Sequence, residues 1–167
     1  MAEYVLFVTR KDIVRFTAMN GNVDVDRYLQ FCKIAQDRQL QPLLGTKLFE
    51  KIQDEIKAGT LATPYLELLE DKIKDVVLFY TMVEYLPWGN IQVSNKGIFK
   101  FTQENGQVVD KSEVDDLVEE TRSTAEFYAQ RLIDHLCQFS SKYPEYNQNT
   151  NDDINPTTQN YWGGWVL

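Results

Sequence analysis

Histidine is almost missing from this sequence: His135 stands alone, and only two cysteines, Cys32 and Cys137, accompany it. One imidazole and two distant thiols do not make a zinc set, which needs four convergent ligands or three plus water. Neither cysteine has a CxxC partner, and each has apolar neighbours at helical spacing, so both are expected as buried, reduced thiols. Long hydrophobic runs are also absent. The longest span only a few residues, as in Tyr4 to Val8, too short for a membrane-crossing helix. No basic region followed by an apolar segment and a small-residue cleavage site opens the chain, so no signal peptide is expected. Bases are scarce, 17 against 25 acids, for a formal charge of -8, and none of them form a run. Tight binding to nucleic acid needs clustered Lys and Arg to displace counterions, so direct DNA or RNA binding is not expected. An acidic wall beside DNA that merely passes is compatible with this composition.

Recognisable catalytic signatures are lacking as well. There is no nucleophile elbow, P-loop or dinucleotide fingerprint. Asp134 and Cys137 are near His135 in sequence, but three such positions on a helix point in different directions and cannot converge on one ion. A structural histidine, at the surface or half-buried, is expected. The carboxylates of Glu113, Asp115, Asp116, Glu119 and Glu120 lack both an EF-hand glycine and a second converging element. They read as a solvated first turn that complements a helix dipole. The sequence therefore predicts no enzyme, no cofactor and no metal site.

What is present is a strong helical pattern. With 43% hydrophobic residues, 25% charged residues and a mean hydropathy of -0.40, 167 residues suffice for one soluble domain without crosslinks. Tyr4 to Val8 reads as an extended segment. Thr9 with Asp12 resembles a capping pair for a short helix carrying Ile13, Val14 and Phe16. Asn20-Gly21-Asn22 ends it. A second helix starts near Asp24, with Val25, Tyr28, Leu29, Cys32 and Ala35 on one face, and should stop near Gln41 before Pro42. Thr46 is expected to cap a third helix bearing Leu48, Phe49, Ile52 and Ile56, closed by Gly59. Thr63-Pro64 opens a fourth. It runs to Leu86 with apolar residues on more than one face, so it should be central. The remaining tyrosines and phenylalanines at helical spacing are expected in the core.

Between Asn90 and Val109 the period changes to two. Ile91 and Val93 alternate, as do Phe99 and Phe101, around Asn95-Lys96-Gly97 and Asn105-Gly106, which predicts an inserted β-hairpin with a short third strand at Val108-Val109. Ser112 with Asp115 is expected to cap a last helix striped by Val114, Leu117, Val118, Thr121, Ala125, Tyr128, Leu132, Leu136 and Phe139. At 1.5 Å per residue it would reach roughly 40 Å. The fold class is thus mainly α: a helical bundle with long antiparallel helices, a small hairpin and an extended C-terminal tail. The domain is placed at residues 1–143 and the arm at 144–167.

The tail turns polar after Tyr143-Pro144 and ends on Tyr161, Trp162, Gly163, Gly164, Trp165, Val166 and Leu167. Trp and Tyr are enriched at binding hot spots, so these seven residues are the candidate partner-binding site. Two arrangements are open. The tail folds back over its own domain, or it docks into another subunit, since 24 extended residues reach up to roughly 75 Å.

One stretch carries a family resemblance. A capped helix at Thr9, a helix with Tyr28, Ala35 and Leu40, then Pro42-Leu43-Leu44-Gly45-Thr46-Lys47-Leu48-Phe49 and an amphipathic helix with Ile52 resemble the head-to-tail connector adaptors of tailed phages, especially the ring proteins of crAss-like phages. The resemblance covers roughly residues 3 to 86. It implies a helical protomer, a twelve-fold ring under the portal, a DNA channel, and a C-terminal segment that docks on portal or ring neighbours. It implies no catalytic residues. The rival readings are a cellular helical binding module and, far behind, an enzyme of unrecognised type.

Overall fold

In the computed structural model, residues 4–19, 23–89, 91–94, 97–100, 110–148 and 153–158 are described, and the chain is mainly helical. Helix α1 (Arg10–Phe16) opens with a capping box. Thr9 Oγ1 accepts the Asp12 N–H, and the Asp12 carboxylate accepts the Thr9 N–H. Helix α2 (Val25–Ala35) is capped by Asp24. It does not stop before Pro42. A π-turn (Gln36–Leu40) carries it into α3 (Gln41–Leu44), and this widened turn accommodates Pro42, which has no N–H to give the helix. The break comes at Gly45, whose φ of 75° suits a residue without a Cβ.

Helix α4 (Thr46–Ala58) follows, with Thr46 as its first residue rather than its cap, and ends on left-handed Gly59. Helix α5 (Tyr65–Leu68) runs through a second π-turn (Leu69–Ile73) into α6 (Lys74–Tyr85), then a 3-10 turn at Leu86–Trp88. Val76, Val77, Leu78, Tyr80, Thr81, Met82, Val83 and Tyr85 are all buried, so α6 is apolar on several sides and lies at the centre. It packs against α2 and against α7.

Strands β1 (Ile91–Ser94) and β2 (Gly97–Lys100) pair antiparallel, Ile91 opposite Lys100 and Ser94 opposite Gly97. The expected strand at Val108-Val109 lies outside the described residues. Helix α7 (Lys111–Gln138) is 28 residues long, so about 42 Å. Its cap is Asp110, paired in a capping box with Glu113, not Ser112 with Asp115. The acids do sit in the first turns. Only its second half is buried, through Ala125, Ala129, Leu132, Ile133 and Leu136.

The tail departs from an arm beginning at residue 144. Pro144–Asn147 forms α8, and Tyr143 and Tyr146 are buried in the core. Tyr65 Oη donates to Glu145 at 2.6 Å and stands edge-on to the Tyr143 ring. Two large buried rings and a half-buried hydrogen bond hold this stretch to the domain, so its polar flanks conceal a core element.

Candidate interaction site

The seven aromatic-rich residues Tyr161, Trp162, Gly163, Gly164, Trp165, Val166 and Leu167 lie outside the described residues, but the segment that leads to them does not. Residues 153–158 run as a strap across the break between α3 and α4. A helix break leaves backbone donors and carbonyls without intrahelical partners, and the strap supplies them. Thr46 N–H donates to the Ile154 carbonyl at 3.1 Å, and the Ile154 N–H returns to Thr46 Oγ1 at 3.2 Å. Thr46 Oγ1 also donates to Asp153 at 2.8 Å. On the other side of the break, Thr157 gives both its N–H and its hydroxyl to the Pro42 carbonyl, at 2.9 and 3.0 Å. Tyr146 Oη donates to the Thr157 carbonyl, and Lys47 Nζ to the Gln148 carbonyl. Pro156 rides on Gly45, so closely that a Cβ there would come within 2.8 Å of its ring. The Pro42–Lys47 stretch, legible in sequence as a packing motif, is therefore a clamp for the segment preceding the aromatic end.

A second surface was not foreseen. An open groove of about 660 Å³ lies between α2, the end of α6 and the start of β1. Phe31, Tyr85 and Trp88 form an aromatic wall, with Phe31 edge-on to Tyr85 at 5.8 Å and Trp88 half-exposed. Arg27 closes one end by donating to the Gly89 and Ile91 carbonyls, both at 3.3 Å, and Arg38 closes the other by pairing with Glu84 at 3.2 Å. An aromatic wall with a guanidinium at each end suits an apolar side chain flanked by acid. The signal in sequence was faint, because Arg27, Phe31 and Trp88 converge only through the packing of α2 on α6.

His135 is half-buried. Its Nε2 is 3.2 Å from Tyr143 Oη, and its ring leans on Phe139. Burial, with repulsion from Lys72 and Lys142, holds its proton affinity below the usual imidazole value. Cys32 is buried as expected, and burial pushes its thiol up to about 11. Cys137, however, is exposed, because it turns away from the Leu132–Leu136 side of α7. Among the described residues no His, Cys, Asp and Glu side chains gather into a metal-binding group. Not all the aromatics are core: Phe16, Trp88 and Phe127 are exposed, and Phe127 lies two residues from both Ala125 and Ala129, on the side of α7 opposite the core.

Residues 40–156 match the family of unknown function DUF6712. The chain belongs to that family. The match begins at Leu40, just before α3, and ends at Pro156, so the Thr46–Ile154 and Gly45–Pro156 contacts lie within the family segment and the Thr157–Pro42 bonds one residue beyond it. No curated protein and no solved structure matches the chain. No helix among the described residues is long and apolar enough to cross a membrane.

Proposed function

We propose that this DUF6712 member is a structural virion protein, a head-to-tail connector that assembles as a ring, twelve copies by family resemblance, joining the portal to the tail around the DNA channel. In this reading the protomer is a helical bundle with antiparallel long helices and an inserted hairpin, built in the host cytoplasm and placed in the virion neck. Its partners are further copies of itself, the portal protein and neighbouring tail proteins; neither membrane nor specific nucleic-acid sequence is among them. It needs no cofactor and catalyses nothing.

The observation that carries this reading is the strap. Asp153, Ile154 and Thr157 are bonded to the clamp, so the Tyr161–Leu167 segment starts only four residues beyond Thr157. An aromatic segment tethered close to a rigid anchor loses less entropy on docking than one at the end of a 24-residue free arm. The net charge of -8 supports a conduit wall that does not retain DNA.

The groove between Arg27 and Arg38 favours a second reading, a cellular binding module that takes a single partner. Native mass spectrometry of the chain mixed with portal complex separates the two. Twelve copies per portal support the connector. A one-to-one complex with another protein, and indifference to portal, replaces it with the binding module.

A further inference from the structure

The exposed face of α1 is an exception in an acidic chain. Three cations, Arg10, Lys11 and Arg15, sit in seven residues with one acid, Asp12, which is engaged by Thr9 and by Lys74 at 3.4 Å. Val14, 38% exposed, lies on the Lys11 and Arg15 side, and at its edge Phe16 is 53% exposed with the Arg15 guanidinium 5.2 Å above its ring. A positive face with an exposed aromatic is the composition of an interaction surface, not of a solvated one.

The first half of α7 is its opposite in charge. From Lys111 to Thr124 no residue is buried, and Leu117 is 47% exposed. Glu113 and Glu120 lie one turn before and after Leu117 on the same side, with Asp116 beside it. This half-helix rests on its own domain through half-buried Val118 and leaves Leu117, framed by carboxylates, on its open side.

The two surfaces flank opposite ends of α6. The Asp12–Lys74 pair fixes α1 at the first residue of α6, whereas α7 passes the Leu86–Trp88 turn beyond its last. The 12 residues of α6 span about 18 Å. The geometry points to a head-to-tail contact in which the Lys11, Val14 and Arg15 side of α1 in one copy receives the Glu113–Glu120 half-turns of α7 from a second copy, Leu117 against Val14, carboxylates against Lys11 and Arg15. Unlike patches at opposite ends make a heterologous interface, which propagates and closes into a ring when the rotation allows. The contact deepens the connector reading, and rests on it for the closure.

The test uses full-length chain and two exposed double variants, Lys11→Glu with Arg15→Glu, and Asp116→Lys with Glu120→Lys. Circular dichroism and thermal melting establish that each is folded. Sedimentation velocity up to millimolar concentration then reads association. The wild type should self-associate, about tenfold more weakly or worse at 0.5 M than at 0.05 M salt, as exposed charges are screened. Each variant alone presents like charges at both ends and should remain monomeric. Mixed together they restore complementary pairs and should associate again. Association of either variant alone at wild-type strength overturns the contact, and so does a mixture that stays monomeric. A wild type monomeric at millimolar concentration also overturns it. The connector reading is judged separately, by copy number on the portal, and survives any of these results.

Discussion

Thr46 and Ile154, more than a hundred residues apart, bond to each other twice: the Thr46 N–H reaches the Ile154 carbonyl, and Thr46 Oγ1 receives the Ile154 N–H. Replacing Thr46 with Val removes the oxygen that accepts this N–H and binds Asp153, while keeping the β-branched shape. Loss of three partly exposed hydrogen bonds, the third from Gln41 Nε2, should cost about 1–2 kcal/mol globally. Locally the effect should be larger. The Ile154 and Thr157 amides should exchange with solvent several-fold faster, and proteolysis between residues 149 and 158 should quicken. Unchanged exchange at both amides would mean that the Thr46 N–H bond to Ile154, with Pro156 and Thr157, suffices to hold the strap. Gly45→Ala tests that second hold: the added Cβ meets the Pro156 ring at 2.8 Å in a backbone conformation that disfavours alanine, and should destabilise by about 1–3 kcal/mol.

How much of this was legible follows from how local each signal is. Thr9–Asp12, Asp24 and Gly59 act within a single turn, and each stands at the end the sequence indicates. The Thr46 hydroxyl has the chemistry of a cap but serves the strap, a partner that only tertiary structure brings to it. Likewise Asp110, not Ser112, caps α7, because two acceptable capping pairs overlap there and composition does not rank them. The acidic first half of α7 obeys the helical period without being buried, so periodicity overstated its core. The candidate site was legible only as a composition, the aromatic end; its anchor at Pro42–Thr46 and the Arg27–Arg38 groove depend on contacts between distant elements.

Gln36 is fully buried, a rare environment for an amide, and its partners explain it. It accepts the Phe7 N–H at 2.7 Å and donates to the Val5 carbonyl at 3.1 Å, fixing the extended N-terminal segment on the π-turn. Gln36→Leu fits the volume but strands the buried Phe7 N–H and the half-buried Val5 carbonyl. The expected loss is about 1–3 kcal/mol in urea unfolding, with the Phe7 amide losing exchange protection first. A variant as stable as the parent, with that amide still protected, would show that the N-terminal segment is held by Phe7 packing on Phe49 instead.

His135 gives a pH dependence whose sign can be worked out. Burial, then Lys72 and Lys142, lower its proton affinity in the folded chain, while Asp71 opposes them weakly. The unfolded chain therefore binds a proton first as pH falls. Stability contributed by neutral His135 is complete above about 6.5, the ordinary imidazole value, and is lost as pH drops from there through the lower folded value. His135→Gln keeps a polar group toward Tyr143 without the titration. Between pH 7 and 5, its urea midpoint should fall less than that of the parent. Parallel curves would assign the acid sensitivity to other groups.

Truncation separates anchor from aromatic end. Removing residues 145–167 would take away Tyr146 and the Glu145 partner of Tyr65, both part of the folded domain, so lost binding would be uninterpretable. A chain ending at Thr158 keeps α8 and the strap. Its melting temperature should match the parent within a degree or two, since no described contact is removed. Under the connector reading its copy number on portal complex should collapse, and Trp162→Ala with Trp165→Ala in the full chain should reproduce most of that loss, as hot-spot aromatics do. Portal occupancy at full level by the shortened chain would move the attachment surface off the aromatic end. The Arg27–Arg38 groove would then be the next surface to mutate, through Trp88→Ala and Arg27→Ala.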